Sequence, residues 1–321
     1  MHMSDSLISP AVAAVGAVIS VALIAIATRR TSRDAGDKMI PMMGVMGAFV
    51  FAAQMLNFTI PGTGSSGHIV GGILLASVLG PWAGFLVLTA VLILQALLFA
   101  DGGVLVLGCN ILNMAVTSCL IGYPFITRPL LEGRRTYARV VWASVAGSVV
   151  ALTIGAIGVS LETTLSGISA LPTSAFIRFM IPIHLVIGLI EGVATATVLW
   201  FISWRRPSLL HNADLDKQKA TGKLWVAIAL CALVMGALFS IIASSSPDGL
   251  EWSITRTSGL EEITSPATSM AHRFVGAVQE QTALIPDYGI SSAGLIGCGI
   301  FLVISLLISL FIRRRPTKVT K

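Results

Sequence analysis

The chain begins Met1-His2-Met3-Ser4-Asp5-Ser6-Leu7, and an apolar run from Ala11 to Thr28 follows with no Lys or Arg in front of it. A run of about this length can cross the hydrocarbon core of a bilayer as a helix. The opening lacks the basic start and the small-residue cleavage site of a secretory signal, so we expect residue 1 to be retained. The sequence therefore predicts an amino terminus that lies beside the first spanning helix.

The composition predicts that the rest of the chain is also embedded in a membrane. Of its 321 residues, 55% are hydrophobic and 11% are charged, and the mean hydropathy is +0.88. Such a chain has too little polar surface to cover a water-soluble globule of this size. We count about nine apolar runs that are long enough to form spanning helices or helices buried among them. The predicted fold class is an all-α polytopic membrane protein, with about seven spans before residue 205 and two after residue 223.

Positive charge predicts how these spans are oriented. All but three of the 21 Lys and Arg fall in four clusters beside apolar runs, at Arg29 to Lys38, Arg128 to Arg139, Arg205 to Lys223 and Arg313 to Lys321. Cytoplasmic loops are enriched in Lys and Arg, so we expect the carboxyl terminus inside and both the amino terminus and His68 outside. The expected location is the cytoplasmic, or inner, membrane. The basic pI near 9.5 then reflects topology, and no nucleic-acid partner is expected.

A change in character divides the chain into parts. Residues 1–205 are predicted to form one membrane domain, and residues 206–223 a basic cytoplasmic linker. Residues 224–321 are predicted to form a second module of two spans, with an extracytoplasmic segment at about 244–289. That segment opens with Pro247-Asp-Gly-Leu-Glu251.

The first two residues carry three nitrogens that one ion can bind: the terminal amine of Met1, the amide of His2 and the His2 imidazole. Amine and amide close a five-membered chelate ring, and amide and the near imidazole nitrogen close a six-membered ring in the same plane. A planar set of nitrogens favours Ni(II) or Cu(II) over zinc, magnesium or calcium. His68 is the best candidate for the fourth corner. Met1, His2 and His68 are therefore the predicted metal ligands, and a terminal His that is simply solvated is the plainer alternative.

The segment Ile60-Pro-Gly-Thr-Gly-Ser-Ser-Gly-His68 is rich in residues that break helices. Its glycines permit close backbone approach to a bound group, and Ser65 and Ser66 are candidates to supply hydrogen bonds there. Gln54 and Asn57 are candidate partners of His68, with helix capping or bonding between helices as the alternative. The segment lacks the G-K-[ST] ending of a Walker A loop, so the chain is not expected to hydrolyse ATP.

Two alternatives remain open. Gly64-Ser-Ser-Gly67 matches a short motif of rhomboid intramembrane serine proteases, with His184 as the conceivable base. His184 and Glu191 also lie seven residues apart on one helix face, and ionisable groups within a membrane indicate function. A secondary metal/proton transporter that uses this intramembrane polar site is therefore the second hypothesis. Hydrogen bonding between helices is the structural explanation that we favour for both side chains.

Several separated motifs together resemble one transporter family. They are the terminal His2, Gly67-His68, Gly71-Gly72, Leu79-Gly80-Pro81, the run from Gln95 to Gly103, Leu107-Gly-Cys-Asn110, and Asn113-Met-Ala115. This set resembles the NikM/CbiM family, the substrate-binding S components of energy-coupling-factor (ECF) transporters for nickel and cobalt. The match covers about residues 1–205. The remainder, with Pro247-Asp-Gly-Leu-Glu251, looks like the NikN-like or PDGLE module that is fused to such components.

The resemblance implies a four-nitrogen site made by the Met1 amine, the His2 amide and imidazole, and the His68 imidazole. It implies an S-component helical bundle that is not itself an enzyme. The implied partners are a transmembrane T component and two ATP-binding cassette ATPase subunits. Ni(II), or Co(II) as the second choice, would be the transported substrate, and no resident cofactor is expected.

Overall fold

The computed structural model describes residues 1–34, 39–133, 136–169, 171–205, 210, 222–242, 244, 246–259, 269–288 and 292–313. Most of these residues are helical, and only one short hairpin is extended among them, which confirms the predicted all-α polytopic membrane protein. Within the described ranges, five helices are long and apolar enough to span a membrane, and the shorter apolar helices there are Met39–Gln54, Val226–Leu238 and Ala293–Ile308. The count of about nine spans stays a prediction.

Where the structure describes it, the first part of the chain contains seven longer helices, a short 3-10 turn at Asp5–Leu7 and a hairpin. The helices are α1 (Pro10–Asp34), α2 (Met39–Gln54), α3 (Gly72–Leu79), α4 (Pro81–Phe99), α5 (Leu107–Leu131), α6 (Tyr137–Ser166) and α7 (Thr173–Arg205). Large apolar side chains on several of them face outward, for example Val18 at 70% exposure and Trp142 at 71%. Apolar side chains can face outward where the surrounding solvent is lipid, as is expected for spanning helices.

A β-hairpin between α2 and α3 carries His68. Strand β1 (Asn57–Ile60) pairs antiparallel with β2 (Ser65–His68), and Asn57 lies opposite His68. Gly62 and Gly64 in the turn have φ angles of 77° and 76°, a backbone conformation that residues other than glycine rarely adopt. The structure therefore forms a hairpin where the sequence predicted only a helix-breaking loop. Because Asn57 pairs in β1, α2 ends at Gln54, before the end of the apolar run that extends to Phe58.

The second part of the chain packs against the first. Its helices are α8 (Gly222–Ile242), α9 (Gly249–Ser258), α10 (Met270–Thr282) and α11 (Ala293–Arg313). Helices α8 and α11 contact α2, and the glycine positions Gly47 and Gly297 admit the rings of Phe301 and Phe51. The predicted linker 206–223 lies almost entirely outside the described residues, as do 245, 260–268 and 289 of the predicted extracytoplasmic segment.

Candidate metal centre

The first eight residues fold back into the protein. Met3, Leu7 and Ile8 are buried. Asn110 in α5 pairs with both backbone groups of Met3: its Oδ1 accepts the Met3 N–H at 2.9 Å, and its Nδ2 donates to the Met3 carbonyl at 3.2 Å. Asp5 in turn accepts the Val106 N–H at 3.0 Å. These contacts hold the start of the chain against the beginning of α5.

The fold brings Met1, His2 and His68 together. The two imidazole rings lie 5.2 Å apart, centroid to centroid, with 43° between their planes. Burial, and after it the positive charge of the Met1 ammonium, lowers the pKa of both histidines to about 3. Both imidazoles are therefore neutral at pH 7, with lone pairs available to an ion. The residues that could hold a metal are thus already neighbours.

Two carboxylates, which the sequence did not identify as site residues, complete this cluster. The Met1 ammonium donates to Asp248 Oδ2 at 2.9 Å, and His2 Nδ1 lies 3.5 Å from Asp101 Oδ1. Burial alone would raise the pKa of Asp248, but the Met1 ammonium and His68 lower it below its usual range. Both residues occur in motifs that the sequence displays, Gln95 to Gly103 and Pro247 to Glu251. Only the fold shows that these motifs reach the chain start.

A buried hydrogen-bond network positions the backbone that follows His68. Glu191 in α7 accepts the N–H of Val70 at 2.9 Å and that of Gly71 at 3.1 Å. Gln54 donates to the Val70 carbonyl at 2.9 Å and accepts from Gln95 at 2.8 Å. The network therefore fixes the chain two and three residues beyond the predicted ligand. Neither Glu191 nor Gln54 bonds to the His68 ring itself in the described structure.

The other residues that were predicted to support the site contact the second part of the chain. The Ser66 hydroxyl donates to the carbonyls of Ser246 at 2.7 Å and Pro247 at 3.1 Å, and the Ser66 N–H donates to Pro247 at 2.8 Å. Ser65 Oγ donates to the Ser66 carbonyl at 3.1 Å and lies 3.4 Å from that of Pro247. The side chain of Asn57 donates to the Ser244 carbonyl at 3.1 Å. These residues tie the hairpin to the segment that contains Asp248.

His184 lies next to the cluster but does not bond to Glu191. Its Nδ1 is 2.8 Å from the Met180 carbonyl, and its buried Nε2 has no hydrogen-bond partner among the described residues. A small cavity of about 10 Å³ is lined by His184, Met1, His68 and Asp248. The Ser66 hydroxyl is directed to backbone carbonyls rather than to the His184 ring.

A larger polar cavity of about 580 Å³ adjoins the site and is lined by both parts of the chain. Its walls include His2, His68, Asp101, Asp248 and Gln279. Within the described residues, no three His, Cys, Asp or Glu side chains form a group that could hold a metal. The predicted site instead combines two imidazoles with two backbone nitrogens, a set that suits an ion with square-planar coordination.

Two families match this chain. The CbiM family, described as a cobalt uptake substrate-specific transmembrane region, matches residues 2–209. The PDGLE domain matches residues 222–314. Both agree with the resemblance that the motifs indicated.

Named relatives and solved structures are similar over much of their length. The chain is 31% identical to a protein provisionally named as a fused nickel transport protein, NikMN, of Archaeoglobus fulgidus, over 86% of this chain and 88% of that one. It is also 31% identical to the fused nickel transport protein NikMN of Rhodobacter capsulatus, over 83% and 78%.

A crystal structure of a transition metal transporter superposes with a TM-score of 0.56 at 31% identity, over 64% of this chain and 93% of that chain. A truncated transition metal transporter gives 0.55 at 32% identity, over 63% and 98%. The chain therefore belongs to the CbiM family, and a PDGLE domain follows its CbiM region.

Proposed function

We propose that this protein is the substrate-binding component of an ATP-driven ECF transporter, and that it captures Ni(II), or Co(II) as second choice, outside the cytoplasmic membrane. The metal ligands are the Met1 amine, the His2 amide and imidazole, and the His68 imidazole. The observation that carries the proposal is the convergence of the chain start and His68, whose imidazole lies 5.2 Å from that of His2, centroid to centroid. The relatives named as nickel transport proteins support nickel as the first choice.

The proposed organisation follows the pattern of apolar runs and basic clusters along the chain. Residues 1–205 bind the metal, residues 206–223 are a cytoplasmic linker, and residues 224–321 are a two-span NikN-like module with an outer segment at about 244–289. The amino terminus lies outside and the carboxyl terminus inside. In this proposal the chain itself catalyses no reaction. A transmembrane T component and two ATPase subunits supply the energy for transport.

The decisive experiment extends the mature amino terminus by two alanines. The extension turns the amine of Met1 into an amide and moves His2 to the fourth position, so a free terminal amine can no longer chelate one ion in the same plane as the His2 amide and imidazole. The affinity for nickel should fall at least roughly a hundredfold. It is measured on purified protein by elemental analysis of the bound nickel and by the absorption of square-planar Ni(II). Met3→Leu is the matched control, because it changes the same segment but leaves all four nitrogens in place. Undiminished nickel binding by the extended protein would refute the site.

Energy coupling is tested separately, by nickel uptake into cells. Uptake should require both the T component and an active ATPase pair. Uptake by this chain alone, driven by a proton gradient and abolished by Glu191→Gln, would favour the secondary transporter instead.

A further inference from the structure

Asp248, which the PDGLE domain contributes, contacts the chain start more directly than any other carboxylate in the described structure. We propose that it is the counter-ion of the metal site, and that it balances the charge of the site both before and after the ion binds. This inference rests on the proposed function and adds a residue from the second part of the chain to the site. Asp248 is not itself a ligand in this proposal.

The geometry divides the two oxygens of Asp248 between separate partners. Oδ2 accepts from the Met1 ammonium at 2.9 Å, in a pair whose side chains are 2% and 17% exposed. Oδ1 accepts the N–H groups of Leu250 and Glu251, both at 2.8 Å, and so caps the amino end of α9. Because the cap alone holds the carboxylate in place, Asp248 keeps its position when the amine is occupied by a metal.

The positive charge that faces Asp248 is the same without metal and with metal bound. Without metal, the ammonium carries one positive charge. On binding, the amine and the His2 amide each release one proton to water, and the ion adds two positive charges. The resulting complex of one divalent ion with one deprotonated amide again carries one positive charge. A buried charge without a partner is costly. Without the carboxylate, the ammonium of the empty site can still turn to another hydrogen-bond acceptor, whereas the charge of the loaded complex is fixed in place. The carboxylate therefore stabilises the loaded site more than the empty one.

The neighbouring carboxylates have other partners. Asp101 accepts the Tyr288 hydroxyl at 2.7 Å, and Glu251 accepts the backbone N–H of Asp248 at 3.0 Å as the second half of a capping box. Neither is hydrogen-bonded to the Met1 amine. The backbone of Ser66 also donates to the Pro247 carbonyl, which ties the hairpin of His68 to the residue before Asp248.

The test is Asp248→Asn in the full-length protein, compared with Glu251→Gln. Asparagine retains the oxygen that caps α9, and glutamine retains the capping box, so both variants remove one negative charge and keep the local fold. We expect Asp248→Asn to weaken nickel binding roughly ten- to hundredfold and to speed nickel release. The planar Ni(II) absorption of the remaining complex should be unchanged, because all four ligands stay. Glu251→Gln should bind nickel like the wild type.

Three outcomes would overturn the inference. They are wild-type nickel affinity in Asp248→Asn, an equal loss in both variants, or a changed absorption band that marks Asp248 as a ligand. A failure of the proposed function looks different, because the wild-type protein itself would then bind no nickel.

Discussion

At the scale of single residues, the position of His68 depends on side chains far away in sequence. The imidazole has no direct protein hydrogen bond in the described structure, and its backbone is held instead through Val70 and Gly71 by Glu191. A ligand loop that is held rigidly loses less entropy when the ion binds. Glu191, which is fully buried, is therefore best understood as a residue that positions the backbone of the proposed metal site.

Glu191→Gln should weaken nickel binding roughly tenfold and speed nickel dissociation. The two backbone N–H groups bond to different oxygens of the carboxylate, and glutamine replaces one of those oxygens with an NH2 group that cannot accept. Titration of purified protein with nickel measures the affinity. The matched control is Glu162→Gln in α6, which removes a carboxylate that bonds the side chain of Asn113 at 2.6 Å. Equal effects of the two changes would argue against a specific role for Glu191.

At the scale of secondary-structure elements, the chain start is positioned by the close approach of α1 to α5. Gly108 in α5 lies against the backbone of Gly16 and Ala17, and Ser20 in α1 donates to the Gly108 carbonyl at 2.8 Å. Small residues permit such close contact between membrane helices. Asn110, which holds Met3, follows Gly108 by two residues, so this contact also positions Met1 and His2, the first proposed ligands.

Gly108→Val should separate α1 from α5, because any Cβ at this position collides with the backbone of Ala17. We expect a loss of about 1–3 kcal/mol of stability together with weakened nickel binding. Thermal unfolding in detergent and nickel titration measure the two effects. Gly299→Val in α11 is the control, since a Cβ there has no neighbour within 4 Å among the described residues. Normal nickel binding by Gly108→Val would show that the helix contact does not position the site.

At the scale of the whole molecule, the two parts of the chain enclose the site together. Asp248 reaches the Met1 amine, His272 Nε2 in α10 lies 3.1 Å from the carbonyls of Asp5 and Ile8, and Gln279 donates to the Gly102 carbonyl at 2.9 Å. The second part therefore contacts the amino-terminal segment and the loop after α4. All these contacts involve segments that the charge distribution predicts to lie on the outer side of the membrane.

A cysteine-labelling experiment tests this orientation. In a Cys231→Ser background, Pro61→Cys at the exposed hairpin turn should react with a membrane-impermeant maleimide in intact cells. Glu132→Cys, beside the second basic cluster, should react only after the membrane is permeabilised. The reverse pattern would contradict the predicted topology, and with it the capture of metal from outside.

The sequence by itself determined the membrane class, the helical fold and the chelating potential of Met1 and His2. Each depends on a local property, namely apolar run length or the bonds between adjacent residues, so each can be deduced without the fold. The family motifs likewise carried the resemblance to CbiM.

Only the tertiary structure decided which groups surround those nitrogens. It formed the hairpin of His68, placed Glu191 beneath it and brought Asp248 to the amine across 247 positions of sequence. Such contacts depend on how helices pack and on where buried polar groups find partners, and no local pattern encodes them. That is why Asp101 and Asp248 were visible in the sequence as motif residues, but not as members of the site.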